Sequence, residues 1–344
     1  MADHYEIVMT ANRYRESLEH ERALLDARFP GVDVTVRGTS ARSDDDIVRE
    51  GATADAIMLS TLEPVSATLL DRLPRLRVVG RYGVGLDNVD LDAATERGVV
   101  VTHYPAYCTD EVADHALSMI LALNRQIVTL DKSLRRGQWL VHRSATRTLL
   151  AQPVPALRES TLGIIGFGRI GRAVASRARA FGLSLLVHDP HLELDAVRAE
   201  GVEPVGLEDL FTRSDLVTVH CPLTSDTRGL VNAASLARMK PTAYVVNTAR
   251  GPIVDLPALV EALEAGTIAG AALDVTYPEP LPSDSPLYSL PNVILTPHSA
   301  YYSERSTQVV RDETFASVMM ALMGRRPPVV ANPGVLGRVA LASP

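Results

Sequence analysis

The stretch Gly166-Phe167-Gly168-Arg169-Ile170-Gly171 constrains the fold of this chain more than any other. It follows an apolar run, Leu162-Gly163-Ile164-Ile165, and opens a helical pattern that reaches Phe181. Glycines between a strand and a helix have separate uses. Gly166 permits a tight turn, Gly168 lets the backbone approach a pyrophosphate, and Gly171 allows close packing of helix on strand. The helix N-terminus then offers free N–H groups and the positive end of its dipole to an anion. The next apolar run, Leu185-Leu186-Val187-His188, ends at Asp189, 18 residues after Gly171. A carboxylate there accepts hydrogen bonds from ribose hydroxyls and repels a 2′-phosphate, which predicts NAD over NADP. Alone the glycine pattern is weak; its strand, helix and acid together carry the assignment.

The alternation of strand and helix extends in both directions. Apolar runs at 6–10, 32–36, 56–60, 78–80 and 99–102 alternate with helix-like stretches at 15–28, 44–50, 66–73 and 91–97. That rhythm predicts parallel βαβ units and one α/β domain. Val112, His115, Ala116, Met119, Ile120, Leu123, Ile127 and Leu130 recur at helical spacing, which predicts one long helix over 110–136. A helix of that length bridges domains or packs against a partner subunit. Residues 143–159, with Gln152-Pro153-Val154-Pro155, read as a connector. From Thr161 six further strands are expected, at 161–166, 184–188, 216–220, 243–247, 269–275 and 293–296, enough for a complete doubly wound sheet. An amphipathic helix from Ser303 to Met323, stopped by Gly324 and Pro327-Pro328, has no place in that sheet. It is expected to cross back onto the first domain.

Composition excludes several classes of function. A chain of 344 residues suits two domains, and 46% hydrophobic with 22% charged residues excludes a disordered chain. No apolar run approaches a membrane span and the start lacks a leader pattern, so a cytoplasmic protein with no membrane partner is expected. Cys108 and Cys221 are too few for a disulfide framework or a cysteine-rich zinc site, and no metal is expected. A net charge of −7 argues against nucleic acid as the main ligand.

Three later strand ends carry polar residues at the edge where open α/β sheets build sites. Val245-Val246-Asn247-Thr248-Ala249-Arg250 puts an arginine past one strand, Ala272-Leu273-Asp274-Val275 precedes Glu279, and Ile294-Leu295-Thr296-Pro297-His298 ends in a histidine. Hydride exchange at a carbonyl carbon needs a proton donor for the oxygen, and histidine titrates in the right range. A carboxylate beside it fixes the tautomer and favours the imidazolium. A guanidinium grips a substrate carboxylate through paired, charge-assisted hydrogen bonds. Each residue alone fits a surface ion pair or a loop as well; the joint arrangement tips the balance.

The segments 166–171, 247–251, 272–280 and 296–304 resemble, in order, the signatures of the D-isomer-specific 2-hydroxyacid dehydrogenases. The resemblance runs from about Leu76 to Gly324. It implies a Rossmann NAD-binding domain at 105–302, inserted into a flavodoxin-like substrate-binding domain made of 1–104 and 303–344. It also implies that Arg250 binds the substrate carboxylate, Glu279 supports the histidine and His298 is the general acid/base. Around NAD it implies Gly166, Gly168, Arg169, Ile170, Gly171, Asp189, Cys221, Pro222, Thr227, Thr248, Ala249, Asp274 and His298. Here Cys221 is a packed wall residue, not a nucleophile. The loop Arg81-Tyr82-Gly83-Val84-Gly85-Leu86 resembles the one whose amides hold the substrate carboxylate, and a Gly-x-Gly after a strand does expose amides to an anion.

Within that family the segments 81–90 and 296–304 look most like the C-terminal-binding-protein group of corepressors, in which an arginine matching Arg81 reaches the substrate. Tyr301 stands where that group has a pocket tryptophan. The first 75 or so residues resemble the group only weakly, so a corepressor role is not carried over. The reading that follows is an NAD-dependent D-2-hydroxyacid dehydrogenase, or 2-keto acid reductase. Its substrate would lie between the domains on Arg81, Val84, Gly85, Arg250 and Tyr301, and the family likeness implies a homodimer. Tyr82, Tyr107 and Trp139 are further candidates for the pocket. An NAD(H)-sensing corepressor-like binding protein is the alternative. A formate or phosphite dehydrogenase is disfavoured: formate dehydrogenases resemble the family but pair the histidine with glutamine, whereas Glu279 stands at that position here.

Overall fold

The burial of the strands follows from their connections: parallel strands covered by crossover helices are apolar on both faces. The computed structural model describes residues 4–10, 18–60, 63–139, 150, 153–193 and 200–342. The chain divides into two units, Met1–Tyr107 with Ser303–Pro344, and Cys108–Tyr302.

The first unit holds β1 (His4–Met9), β2 (Asp33–Gly38), β3 (Ala56–Leu59), β4 (Val78–Arg81) and β5 (Val100–His103). They form one parallel sheet in the order β2-β1-β3-β4-β5, the flavodoxin-like arrangement. Residues of β3, β4 and β5 are all buried, whereas the edge strand β2 is partly open. Side-chain caps start four of this unit's described helices: Ser43 accepts from Asp46 N, Ser66 from Leu69 N, Asp90 from Ala93 N and Ser303 from Ser306 N. The late helix Glu304–Leu322 belongs to this unit and packs on β3, β4 and β5. Gly80 of β4 makes the contact close, since a Cβ there would stand 2.5 Å from Val318 Cγ2. Asn332 ties the tail to β5, its Oδ1 accepting from Val101 N at 2.9 Å and its Nδ2 donating to Val99 O at 2.9 Å. Of the expected helix at 15–28, Glu19–Arg28 is helical, and 15–17 lie outside the described residues.

The second unit holds seven parallel strands: β6 (Thr161–Ile165), β7 (Ser184–His188), β8 (Glu203–Pro204), β9 (Leu216–Val219), β10 (Tyr244–Asn247), β11 (Gly270–Leu273) and β12 (Val293–Leu295). Their order, β12-β11-β10-β9-β6-β7-β8, is doubly wound with its switch point between β6 and β9. The fold is therefore two parallel-sheet α/β units, the second Rossmann-like. β8 escaped the sequence reading because it is two residues long and carries Glu203 and Pro204 instead of an apolar run.

The single helix expected over 110–136 is corrected to two, Thr109–Asn124 and Ile127–Arg135. Gln126 breaks it by adopting a left-handed backbone, φ +50°, so that its N–H donates to Leu123 O, three residues back. A right-handed ladder cannot continue through such a residue. Most of the expected connector at 143–159 falls outside the described residues, and its end, Leu157–Glu159, is a single 3₁₀ turn. Among the described residues no helix is long and apolar enough to cross a membrane.

Candidate active site

In the second unit β10, β11 and β12 run side by side and in parallel, so their carboxyl ends share one edge. That edge carries Arg250, Asp274 and His298. His298 Nδ1 lies 2.6 Å from Glu279 Oε1, with the two side chains 30% and 43% exposed. A carboxylate only accepts, so Nδ1 holds the proton and Nε2 is the atom left for chemistry. The ring of Tyr301 meets the imidazole edge-on, centroids 6.3 Å apart.

The backbone at His298 is left-handed, φ +51°, which costs a non-glycine residue about 1 kcal/mol and persists only where neighbours enforce it. Asp274 does so with three groups. Its carbonyl accepts from His298 N at 2.7 Å, Oδ1 from Ser299 N at 2.9 Å, and Oδ2 from Ala300 N at 3.0 Å. Thr296 Oγ1 adds a donor to Oδ1 at 2.5 Å, and the Asp274 side chain has no exposed surface. Both carboxylate oxygens are thus engaged by the loop that presents the histidine.

Arg250 is set by Asn247, whose buried amide both donates to Arg250 O at 2.9 Å and accepts from Ala249 N at 3.0 Å. The half-buried guanidinium donates through Nη1 to Ala249 O at 2.8 Å. Neighbouring Thr248 is buried, and its hydroxyl has no hydrogen-bond partner among the described residues.

On the other side of the switch point the glycine turn follows β6. Gly166 has φ +88°, and a Cβ on it would stand 2.5 Å from Cys221 N, so two constraints demand glycine. At Gly168 a Cβ would meet nothing within 4 Å: the backbone there borders open space at the start of the helix Arg169–Ala180. Arg169 is exposed and Ile170 half-buried against the core, while Gly171 packs on Gly166 O. Asp189 Oδ2 accepts from Phe167 N at 2.9 Å and Oδ1 from His191 N at 3.0 Å, so the half-buried carboxylate also pins the turn. Burial pushes the Cys221 thiol up to about 11, which leaves it a protonated wall residue at neutral pH. Burial also pushes His220 down to about 3, and its Nδ1 is enclosed without a partner among the described residues. Thr227 Oγ1 donates to Pro222 O at 2.7 Å and closes that loop on itself.

In the first unit the loop after β4 is built around Arg81, which is 2% exposed. Its Nη1 donates to Tyr82 O at 2.7 Å and fills the space that a Cβ on Gly83, φ +136°, would take. His103 Nδ1 donates to Gly83 O at 3.2 Å, and Asn88 Nδ2 to Ser60 O and Glu63 O. Val84 and Gly85 are half-buried at the loop's tip. Tyr82 and Tyr107 are buried, whereas Trp139 is 76% exposed.

The sequence profile of the D-isomer specific 2-hydroxyacid dehydrogenase NAD binding domain matches residues 117–300. A glyoxylate reductase of Thermofilum pendens is 39% identical over 295 residues, 86% of each chain. A D-3-phosphoglycerate dehydrogenase of Mycobacterium tuberculosis is 37% identical over 304 residues, 88% of this chain and 56% of that one. The crystal structure of a D-lactate dehydrogenase from Aquifex aeolicus, complexed with NAD and lactic acid, is similar at a TM-score of 0.78 and 27% identity, covering 98% and 99% of the two chains. This chain belongs to the D-isomer specific 2-hydroxyacid dehydrogenase family.

As a member of that family it is an NAD-dependent oxidoreductase of the CH–OH class. The second unit fits the cofactor on its own terms. Open space lies at Gly168 before a helix N-terminus, a carboxylate at Asp189 stands beside the turn, and the buried Thr248 hydroxyl lacks a partner among the described residues. Among the described residues no group of three His, Cys, Asp or Glu side chains is placed to hold a metal ion. Sequence reasoning missed the grip of Asp274 on the 296–300 loop, and the approach of His115 to Thr296 at 3.0 Å. A histidine within an apolar helical stripe was the available signal.

Proposed function

We propose that this dehydrogenase interconverts small 2-keto acids and D-2-hydroxy acids with NAD, as a cytoplasmic homodimer. The observation that carries the reading is the 2.6 Å contact of His298 Nδ1 with Glu279, which leaves Nε2 available on the edge that also bears Arg250. NAD, when bound, supplies the hydride exchange at its nicotinamide. In reduction the imidazolium of His298 donates its Nε2 proton to the carbonyl oxygen; in oxidation the neutral ring takes the hydroxyl proton. Glu279 holds the tautomer, keeping Nδ1 protonated and Nε2 turned to the substrate. Arg250 grips the carboxylate with its planar fork. Arg81, the Val84 and Gly85 amides and Tyr301 complete the substrate contacts. Around the cofactor act Gly166, Gly168, Arg169, Ile170, Gly171, Asp189, Cys221, Pro222, Thr227, Thr248, Ala249 and Asp274, with Asp189 selecting NAD over NADP.

A substrate as small as glyoxylate is favoured by the glyoxylate reductase relative. The likeness of residues 81–90 and 296–304 to the corepressor group is a finer assignment within the same enzymatic reading. Initial rates with NADH across glyoxylate, pyruvate, hydroxypyruvate and 3-phosphohydroxypyruvate test the proposal. Turnover that is abolished by Arg250→Lys, with NADH affinity kept, supports the carboxylate clamp. An Arg250→Lys enzyme with wild-type kcat/KM overturns it. In Glu279→Gln, which no longer fixes the tautomer of His298, kcat should fall; an unchanged kcat would separate Glu279 from the proton transfer.

A further inference from the structure

The helix Thr109–Asn124 packs on β10 and β11 and brings one more polar side chain to the loop that carries His298. His115 Nε2 lies 3.0 Å from Thr296 Oγ1 and 3.6 Å from Asp274 Oδ1. Counting protons gives these contacts a direction. The Thr296 hydroxyl has one proton, and the carboxylate 2.5 Å away can only accept it. At its other contact Thr296 Oγ1 is therefore the acceptor, and His115 carries hydrogen on Nε2. The chain of donors runs from His115 through Thr296 to a carboxylate with no exposed surface. A buried carboxylate is stable only while its donors stay in place, and linked hydrogen bonds reinforce one another.

We propose that His115 is a positioning residue for His298. Its Nε2–H orients the Thr296 hydroxyl onto Asp274, and Asp274 in turn holds residues 298–300 in the left-handed turn that aims the imidazole. Without that donor the Thr296 hydroxyl is left with one of its two partners, its bond to Asp274 Oδ1 is less well aimed, and residue 298 is held less firmly in its left-handed turn. His115 itself need not touch substrate or cofactor. The inference rests on the proton-transfer role proposed for His298.

Three variants test it: His115→Leu, which removes the donor; His115→Gln, whose side-chain amide restores one; and Thr296→Val, which cuts the relay. kcat and KM are measured with NADH and the fastest 2-keto acid of the panel, NADH affinity by fluorescence titration, and stability by thermal unfolding. His115→Leu and Thr296→Val should each lower kcat about tenfold or more, the scale of a catalytic group that is present but loosely aimed. NADH affinity should stay within about threefold, and the His115→Gln enzyme should recover most of kcat. The double variant His115→Leu/Thr296→Val should be no worse than either single one, because both cut the same relay. A His115→Leu or Thr296→Val enzyme with wild-type kcat overturns the proposal, as does a His115→Gln enzyme no better than His115→Leu. If His115→Leu does not fold, Thr296→Val and His115→Gln decide: a wild-type kcat in Thr296→Val, or a kcat in His115→Gln as low as that of Thr296→Val, overturns the proposal. His298→Asn separates the two levels. Full turnover in that variant overturns the proton-transfer role and this inference together, whereas a dead His298→Asn beside a normal Thr296→Val overturns the positioning role alone.

Discussion

Two loops on the same sheet edge solve opposite problems. The turn after β6 must let a ligand reach the backbone, and it does so by leaving side chains out at Gly166 and Gly168. The loop after β12 must aim a side chain, and it keeps a histidine in a backbone conformation that suits glycine, held there by the buried carboxylate of Asp274. One loop is shaped by missing atoms, the other by hydrogen bonds that override a local preference. The first kind of device is therefore visible in a sequence, and the second is not.

The sharpest way to break this contrast is His298→Asn. Asparagine tolerates the left-handed region better than most residues, so the variant should unfold no earlier than the wild type. Its turnover should fall about 10²–10⁴-fold, the usual contribution of general acid–base catalysis. Stability that drops along with activity would mean that the imidazole holds the loop, instead of the loop holding the imidazole.

Next in size is a pair within the glycine turn. Gly166→Ala meets both a positive φ and the Cys221 backbone, so thermal unfolding should show a loss of a few kcal/mol, together with failed NADH binding. Gly168→Ala adds a methyl into open space. The apoprotein should melt within about a degree or two of the wild type while NADH affinity falls about tenfold, since only the approach of the phosphates is hindered. Equal effects of the two substitutions would erase the distinction between a glycine needed by the fold and one needed by the ligand.

The same distinction explains what could be read beforehand. Every strand of the two sheets except β8 was legible as an apolar run, and the late helix was legible as an element left over from a finished sheet. Arg250, Glu279 and His298 stood out because polar residues follow buried strands there. The break at Gln126 was not legible, because glutamine is a good helix former and nothing local announces a left-handed residue. Nor was the work done by Asp274, since its partners are the N–H groups of Ser299 and Ala300, which every sequence supplies. The link from His115 to Thr296 joins residues 181 positions apart, beyond the reach of any local pattern.

Asp189 allows a smaller test. Its carboxylate accepts from Phe167 N and faces the turn, so Asp189→Ala should narrow the preference for NADH over NADPH about tenfold, as read from the ratio of kcat/KM values. Wild-type rates that are equal with the two cofactors would remove Asp189 from cofactor selection.

A last test leaves activity aside and concerns His220, which sits behind the glycine turn. Burial holds it near 3, against 6.5 for an unburied ring. Below pH 6.5 the unfolded chain takes up a proton that the folded chain refuses until about pH 3, so stability is lost as pH falls through that window. The slope from this one group reaches at most about 1.4 kcal/mol per pH unit. His220→Gln should flatten the decline in urea-unfolding free energy between pH 6.5 and 4. An unchanged slope would mean that the ring is not kept neutral by the fold.

The return of Glu304–Leu322 to the first unit also sets an order of assembly during translation. The second unit is one continuous segment and is ready to fold once Tyr302 has left the ribosome. The first unit is not: β5 ends at His103, and the helix that covers Met58 and Gly80 emerges about 200 residues later. At ordinary elongation rates that is a delay of roughly 10–40 s, during which one apolar face of the nascent sheet has no cover. The younger part of the polypeptide is thus complete before the older part, and a ribosome that stops short of Glu304 releases a finished nucleotide-binding unit attached to an unfinished one.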